Sequence, residues 1–399
     1  MQNPDILVSG ASIAGPVLAA WLRRHGFAPT IVERSAGIRP GGQAVDIRGA
    51  ARDVVERMGI MQEVRAATCE GRGLIYVDAD DRVQTRMPAE LFGGDGIVAE
   101  LEILRGDLAS VLYDAIRDDV EVLFDDSIAR LDDRGTAVDV ELERGGRRTF
   151  DLVVGADGIH SRVRKLGFGP EERFVRPLGG YTAYFTIDAR CDTDGWFAMH
   201  NVPGGRVAAI RPDRQHRTKA MFSFSSPPLD YDRRDVEAQK RIVAERFADV
   251  GWKVPRLLAG MWESSDFYLD LFGQVKLDSW SRGRLTLVGD AGYCPSPLTG
   301  LGTSLAIVGA YVLAGELAAA GGDHRIAFAR YEAALRPWIE QCQELPAGSV
   351  RGYLPQTRMG IALRNLSMTM MTKWPWRSLA ARMLFGKAGS FALSDYAAA

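Results

Sequence analysis

Three short segments carry the residues with the clearest chemical potential. The first is Gly10-x-Ser12-x-x-Gly15, set between the apolar run Ile6-Leu7-Val8 and a stretch that reads as a helix over 13–25. Glycine at 10 permits a tight turn, a small residue at 12 lets a phosphate reach the backbone, and glycine at 15 lets the helix pack on its sheet. The free N–H groups and positive dipole end of such a helix suit an anion. Glu33 closes the next strand, where a carboxylate can accept both hydrogen bonds of a ribose diol. The second segment is Asp157-Gly158, between the apolar strand Leu152-Val153-Val154 and a helix with Arg162 and Arg164. The third is Gly289-Asp290, which follows Leu285-Thr286-Leu287-Val288. A Pro-rich loop and Gly300-Leu301-Gly302 then open a long apolar helix, so one carboxylate and several N–H groups aim at one point. Two such arrangements about 280 residues apart suit one extended cofactor held from both ends.

Each segment has a plainer reading. The first could be a glycine turn packed for structural reasons. Asp157 could be the N-cap of a surface helix with solvated arginines. The combination of all three favours the ligand.

The elements that must position these residues follow from periodicity. Strand 6–8, helix 13–25 and strand 28–33 make a βαβ unit of about thirty residues, the length of a dinucleotide fold. A Gly/Pro-rich loop over 35–48 precedes a helix over 49–58. Residues 72–87 alternate as strands, 106–117 form a helix, and 120–124, 136–142 and 147–154 read as three strands. Residues 181–225 are a run of strands with turns at Pro203-Gly204-Gly205 and Pro212-Asp213. Two α-rich stretches, 300–345 and roughly 361–385, close the chain. The order α/β, mostly β, α/β, α suggests one domain interrupted by another.

Bulk properties exclude several classes. The chain has 399 residues and a net charge of −2, with no basic run, so a nucleic-acid partner is not expected. Cys69, Cys191, Cys294 and Cys342 are scattered, with no CxxC pair or Cys/His cluster, so neither metal nor disulfide framework is expected. The N-terminus lacks a basic region and does not read as a signal peptide. The longest apolar stretches, such as 305–320, carry Gly and Glu and read as short of a membrane span. A cytoplasmic setting is the default.

The Gly10/Ser12/Gly15 turn, Asp157-Gly158 and Gly289-Asp290, in that order and at those separations, resemble the three fingerprints of the group A flavoprotein monooxygenases. The resemblance runs from residue 1 to about residue 345. The compact length is most similar to the tetracycline-inactivating members and their antibiotic-pathway relatives. It implies an α/β fold: a Rossmann-like FAD-binding domain (1–70, 100–172, 275–355) interrupted by a mostly antiparallel substrate domain (71–99, 173–274), with a bridging C-terminal helix in 356–399. FAD is the implied cofactor, with NADPH or NADH as a transient co-substrate. Gly10, Ser12, Ile13, Ala14 and Gly15 would face the pyrophosphate. Glu33 would meet the adenosine ribose with Arg34 beside it, and Arg105 would reach the cofactor. Gly289 and Asp290 would hold its ribityl or pyrophosphate end, and Asp157 and Gly158 are implicated in FAD and NAD(P)H contacts. Pro297, Gly300, Leu301 and Gly302 would lie at the isoalloxazine ring, and Arg39 and Asp46 resemble a loop touching NADPH and the flavin. Three departures cluster near the ring: Gly292-Tyr293 where His is common, Ser304 where Asn is common, and Val308-Gly309 where an acidic pair is common.

The implied activity is hydroxylation of an aromatic or polycyclic small molecule through an oxygen adduct at the flavin C4a carbon, with water excluded. No catalytic side chain is assigned; His200 and His216 are candidates for a base, against the more common structural role. Along 181–187, Tyr181, Ala183, Phe185 and Ile187 share an apolar face, either a roof over the flavin or core. Phe185, Met221 and Pro297 are the pocket candidates; Met221 and Phe222 point to opposite faces. The Met/Trp-rich tail Met368–Trp376 is either a lid or a helix bridging the domains. A prenyl reductase or halogenase on the same scaffold and a non-catalytic FAD-binding protein stay open, as do monomer and homodimer. A pyridine-nucleotide disulfide reductase is excluded, because it needs a second dinucleotide turn and a redox cysteine pair.

Overall fold

A computed structural model of the chain describes residues 4–69, 71–92, 101–345, 348–373 and 391–396. Its first sheet runs, in spatial order, Ser281–Arg282, Leu285–Leu287, Leu152–Gly155, Asp5–Ser9, Ala28–Glu33 and Glu121–Phe124. All neighbours pair in parallel except the Ser281–Arg282 edge. Ile6 is opposite Leu152 and Pro29, and Val153 is opposite Leu285. The strand residues Ile6, Leu7, Val8, Val153, Val154 and Leu287 are fully buried. That explains why these strands are continuous apolar runs rather than alternating ones. Because the three motif-bearing strands are neighbours, the turns after Ser9, Gly155 and Leu287 emerge side by side at one edge of the sheet. Open α/β sheets bind ligands at that edge.

Residues 147–154, expected to be one strand, are two. Arg147–Phe150 pairs antiparallel with Val138–Leu142 in a separate three-stranded sheet, while Leu152–Gly155 joins the parallel sheet. Asp151 is the corner: its N–H donates to Asp5 O at 2.8 Å, and its carboxylate accepts from Asp5 N at 2.9 Å. The third strand of that small sheet, Ile128–Asp133, and a short strand, Ala44–Asp46, inside the expected 35–48 loop were not marked by periodicity. Ala44–Asp46 is held by pairing with Glu102–Leu104.

The second large sheet has the order Tyr268–Val275, Val175–Arg190, Arg217–Ser225, Arg206–Pro212, Trp196–Val202, Gly73–Val77, Val83–Pro88. It is antiparallel except where Trp196–Val202 runs parallel to Gly73–Val77. One face carries Tyr181, Ala183, Phe185, Phe222 and Phe224, packed with Val243, Phe247, Leu257 and Met261. Those last four belong to two helices, Val236–Phe247 and Val254–Glu263, that the sequence pattern did not reveal. The opposite face carries Tyr76, Met87, Met199 and Met221, clustered with Leu298 and Tyr353.

Gly302–Ala319 is long and apolar enough to cross a membrane by composition, contrary to the expectation for 305–320. It is instead a core helix, buried on nearly every side and packed against Ala14–Arg24, Ala50–Met58 and His324–Gln343. The helix Arg358–Met371 lies on the outer strands of the second sheet, where Thr85 Oγ1 donates to Asn365 O at 3.2 Å. The chain then returns to the first body: Tyr396 Oη donates to Glu316 at 2.7 Å. Trp374 and Trp376 lie outside the described residues.

Two of the three departures prove to be one packing solution. Tyr293 is buried, and its hydroxyl lies 3.0 Å from that of Tyr331, which donates its one proton to Leu287 O at 3.0 Å. A Cβ on Gly309 would stand 1.9 Å from the Tyr293 oxygen. Tyr293 therefore occupies the volume that a side chain at 309 would need. A mid-helix Gly→Ala change normally stabilises by about 1 kcal/mol. Here Gly309→Ala should destabilise by about 1–3 kcal/mol through overpacking. In a Tyr293→Leu background the penalty should vanish. Thermal midpoints of the four proteins check this; equal penalties in both backgrounds would refute the pairing.

Candidate active site

The first motif is shaped by backbone approach. Gly10 has φ of +109°, and a Cβ there would lie 2.6 Å from Ala156 O. A Cβ on Gly15 would lie 1.9 Å from Gly10 O. Neither position accepts a side chain. Gly10 N donates to Val32 O, and Ala156 N to Ser9 O, both at 2.8 Å. The helix Ala14–Arg24 that follows has no side-chain cap, which leaves its first N–H groups for a ligand. Glu33 is buried, and its two carboxylate oxygens accept from Ala11 N and Ser35 N, each at 2.9 Å. Arg105 begins the helix Arg105–Asp114, and its Nε donates to Ser12 Oγ at 3.2 Å. The hydroxyl that departs from a third glycine thus anchors an arginine.

Asp157 is a positioning residue. Its carboxylate accepts from Ser9 Oγ at 3.2 Å, Arg162 N at 2.8 Å, Val163 N at 3.1 Å and the Ser161 hydroxyl. The N-cap of the following helix is Ser161, whose Oγ accepts from Arg164 N at 3.0 Å; Asp157 accepts from the first two helix N–H groups, ties that helix to the first strand and lines the cleft. Gly158 needs its φ of +81° rather than open space.

The third motif faces the same cleft. Asp290 is half-buried at the cleft wall, and desolvation pushes its carboxyl up while Arg105 opposes this. A Cβ on Gly302 would sit 3.6 Å from Asp290 Oδ1, and one on Gly300 3.7 Å from Asp46 Oδ2. Burial raises Asp46 to about 6 although Arg48 pairs with it at 2.8 Å. Ser304, the remaining departure, accepts from Arg48 N at 3.0 Å, which locks this pair to the long helix.

These residues surround one cleft of about 320 Å³. Its wall includes Gly10, Ser12, Ile13, Ala14, Glu33, Arg34, Arg39, Asp46, Arg105, Asp157, Gly158, Asp290, Pro297, Gly300 and Gly302. Gly15, Gly289 and Leu301 lie behind the wall and shape it. From the second sheet come Thr182, Tyr184, Tyr268, Asp270 and Leu271.

Phe185, expected in the pocket, is not there. It is buried among Phe222 and Phe267 on the helix-covered face, because the two unforeseen helices offer that apolar strand face its cover. Met221, also expected in the pocket, is on the other sheet face with Tyr184, but it is buried in the cluster there, 3.5 Å from the Tyr353 hydroxyl, and does not line the cleft. His200 bonds Val77 O and stacks near Trp252, and His216 sits in a turn with φ of +59°; neither lines the cleft.

His160 does. Its Nδ1 is 3.0 Å from Glu171 and its Nε2 is 2.9 Å from Asp270, which also accepts from the Tyr268 hydroxyl. Burial works against its charge, yet the hydrogen bonds to the two carboxylates outweigh it and hold its pKa above the ordinary value. Glu171 pays burial too, but His160 and Arg233 bring it down to about 2. Part of this was visible in the sequence, since His160 directly follows Asp157-Gly158-Ile159. Its partners, at 171 and 270, were not.

Comparison with known proteins agrees with this geometry. A family described as FAD binding domain matches residues 3–342. Rv1260 of Mycobacterium tuberculosis is 45% identical over 351 residues, covering 88% of this chain and 94% of its own. A flavin-dependent monooxygenase of Legionella longbeachae is 41% identical over 359 residues, covering 86% of this chain and 88% of its own. The crystal structure of tetracycline destructase Tet(51) superposes with a TM-score of 0.82 at 34% identity, over 99% of this chain and 100% of its own. Klebsiella pneumoniae HpxO, complexed with FAD and uric acid, superposes at 0.75 with 18% identity over 98% of each chain, a likeness of fold alone. The chain belongs to the FAD-dependent monooxygenases and is an oxidoreductase that uses FAD. The donor set fits that cofactor: a glycine turn at an uncapped helix start, a fixed carboxylate one strand away, and Asp290 beneath a second helix start.

Two outcomes follow. Glu33→Ala should weaken FAD binding about 10- to 100-fold, the worth of a hydrogen bond to a charged group. Titration of deflavinated protein with FAD checks this; unchanged affinity would remove Glu33 from the site. For His160, a raised folded pKa means stabilisation fully present below the unfolded value and lost as pH rises through the folded one. The melting-temperature gap between wild type and His160→Gln should therefore shrink from about pH 6 to about pH 9. A gap that is constant or widens over that range contradicts the charged bridge.

Proposed function

We propose that this chain is an NAD(P)H- and O2-dependent FAD monooxygenase that hydroxylates an aromatic or polycyclic small molecule, in natural-product tailoring or antibiotic modification. The observation that supports it best is the junction at Pro297. There the start of Gly302–Ala319 and the half-buried Asp46 and Asp290 meet the Thr182/Tyr184 strand of the second sheet. An oxidisable ring placed between the two sheets would be held away from bulk water.

Bound FAD supplies a hydride acceptor for NAD(P)H and the activation of dioxygen. The chain's own residues bind and orient. Gly10, Ser12, Ile13 and Ala14 offer backbone N–H groups to the pyrophosphate, and Arg105 adds a positive charge beside them. Glu33, with Arg34, holds the adenosine ribose. Asp290 accepts from the ribityl end. The N-terminus of Gly302–Ala319, with Gly300 and Leu301, presents N–H groups and a positive dipole end to negative charge on the reduced ring. Arg39 and Asp46 stand where a nicotinamide would approach. Pro297 contributes to the substrate side. The proposed boundaries are a cofactor domain of 1–70, 100–172 and 275–355, a substrate domain of 71–99 and 173–274, and a C-terminal bridge, in a cytoplasmic protein. The tetracycline destructase likeness points to a polycyclic substrate with several oxygen functions.

Under anaerobic conditions NADPH or NADH should bleach the flavin, faster when a candidate polycycle is present. In air with labelled dioxygen, the product should carry one labelled oxygen atom. Pyridine-nucleotide oxidation that yields only hydrogen peroxide with every candidate, or no bleaching at all, would reject the reading.

A further inference from the structure

Arg364 is used by nothing described so far. It lies on Arg358–Met371, facing the second sheet, and is 9% exposed. Its guanidinium stands 3.7 Å over the Tyr76 ring. Nη2 donates to Asn201 Oδ1 at 2.8 Å and to Asn365 Oδ1 at 2.9 Å, and Nε donates to Asn365 Oδ1 at 3.2 Å. Nη1 is buried with no hydrogen-bond partner. The titratable groups beside it are the phenols of Tyr76 and Tyr353, and burial pushes its pKa down.

The other buried arginines are neutralised. Arg48 meets Asp46 at 2.8 Å, Arg211 meets Glu102 at 2.5 Å, and Arg164 has Glu171 at 3.9 Å. Among the described residues no carboxylate does this for Arg364. An uncompensated buried cation is costly, and such a charge persists where something else supplies the anion.

Its surroundings indicate where that anion would come from. Arg364 borders the cluster on the cleft side of the second sheet, which holds Met87, Met199, Met221 and Met368. Thioether side chains repack around flat ligands. At the other end of that cluster are Tyr184, which lines the cleft, and Leu298, next to Pro297. A polar thread links the two ends: the Tyr353 hydroxyl is 3.4 Å from Ser223 Oγ, and Ser223 donates to Thr182 Oγ1 at 3.0 Å. Thr182 is in the cleft wall.

We propose that Arg364 is the anion-recognition point of the substrate chamber, so that the favoured substrates are flat, largely apolar molecules bearing one ionised carboxylate, phenolate or enolate. Nη1, the nitrogen left without a partner, donates to that group, and the ring to be oxidised extends through the repacked methionine cluster toward the cleft. This rests on the monooxygenase reading for turnover, but not for binding.

The test uses the FAD-loaded enzyme and two matched ligand pairs, naphthalene-2-carboxylate with its carboxamide and anthracene-2-carboxylate with its carboxamide. Binding is read by the ligand-induced change in flavin absorbance and by ligand fluorescence. Wild type should bind the carboxylate of at least one pair about 10-fold or more tightly than the carboxamide, the scale of a charge-assisted hydrogen bond. Arg364→Met should abolish the preference, and Arg364→Lys should keep part of it. A merely structural arginine would leave the carboxylate-to-carboxamide ratio unchanged while lowering both affinities. No preference in wild type for either pair, failure to bind included, overturns the proposal without any variant. An unchanged ratio in Arg364→Met overturns it as well. Ligand-free bleaching by NADPH, scored on the same preparations, judges the monooxygenase reading separately.

Discussion

The structure depends on the contact between the Gly10 turn and the backbone at Ala156. Two neighbouring parallel strands end together, and the first turn lies directly against the chain that leaves the second. A side chain at 10 would collide with a carbonyl 2.6 Å away, and one at 15 with Gly10 itself. That closeness brings Ser9 within reach of Asp157 and puts Ser12 beside Arg105. Loss of either glycine would push the first motif away from the second and widen that end of the cleft.

The same tightness governs the far end. Tyr293, Gly309 and Ser304 depart from the common pattern of the family, yet they do not weaken the site. Tyr293 fills the space above Gly309 and joins Tyr331 in a hydrogen-bonded pair. Ser304 holds the backbone of Arg48, whose side chain holds Asp46 at the edge of the cleft. The replacements are coupled: a tyrosine requires a glycine one helix away. They alter how the helix start is packed beside the cleft.

The His160 bridge shows how the two sheets are kept in register. His160 follows a strand of the first sheet, Asp270 belongs to a strand of the second, and Glu171 lies in the turn between Gly167 and Val175. One imidazole thus spans both walls of the cleft. With Arg233 paired to Glu171 and the Tyr268 hydroxyl donating to Asp270, two cations balance two carboxylates beside the cleft. An uncharged spacer of equal size could fill the volume, but it could not satisfy both carboxylates.

The cofactor half was legible in the residues because its determinants are local. A glycine turn needs glycines at fixed spacing, and a strand–turn–helix unit needs an apolar run before them and a helical period after. Gly10, Ser12, Gly15, Glu33 and Asp290 could be set on strand–turn–helix junctions on that basis, and their order and separation along the chain carried the resemblance to the family. The substrate half was not legible in this way. Whether Phe185 faces a ligand or a core depended on two helices forty or more residues further along the chain, since an apolar strand face is identical in sequence whichever partner covers it. The bridge from His160 to Asp270 and the burial of Arg364 against Tyr76 and Asn201 depend on chain segments that meet only after folding. Period and spacing describe what a segment can offer, whereas a buried charge is defined by what surrounds it, and that is set by packing between distant segments.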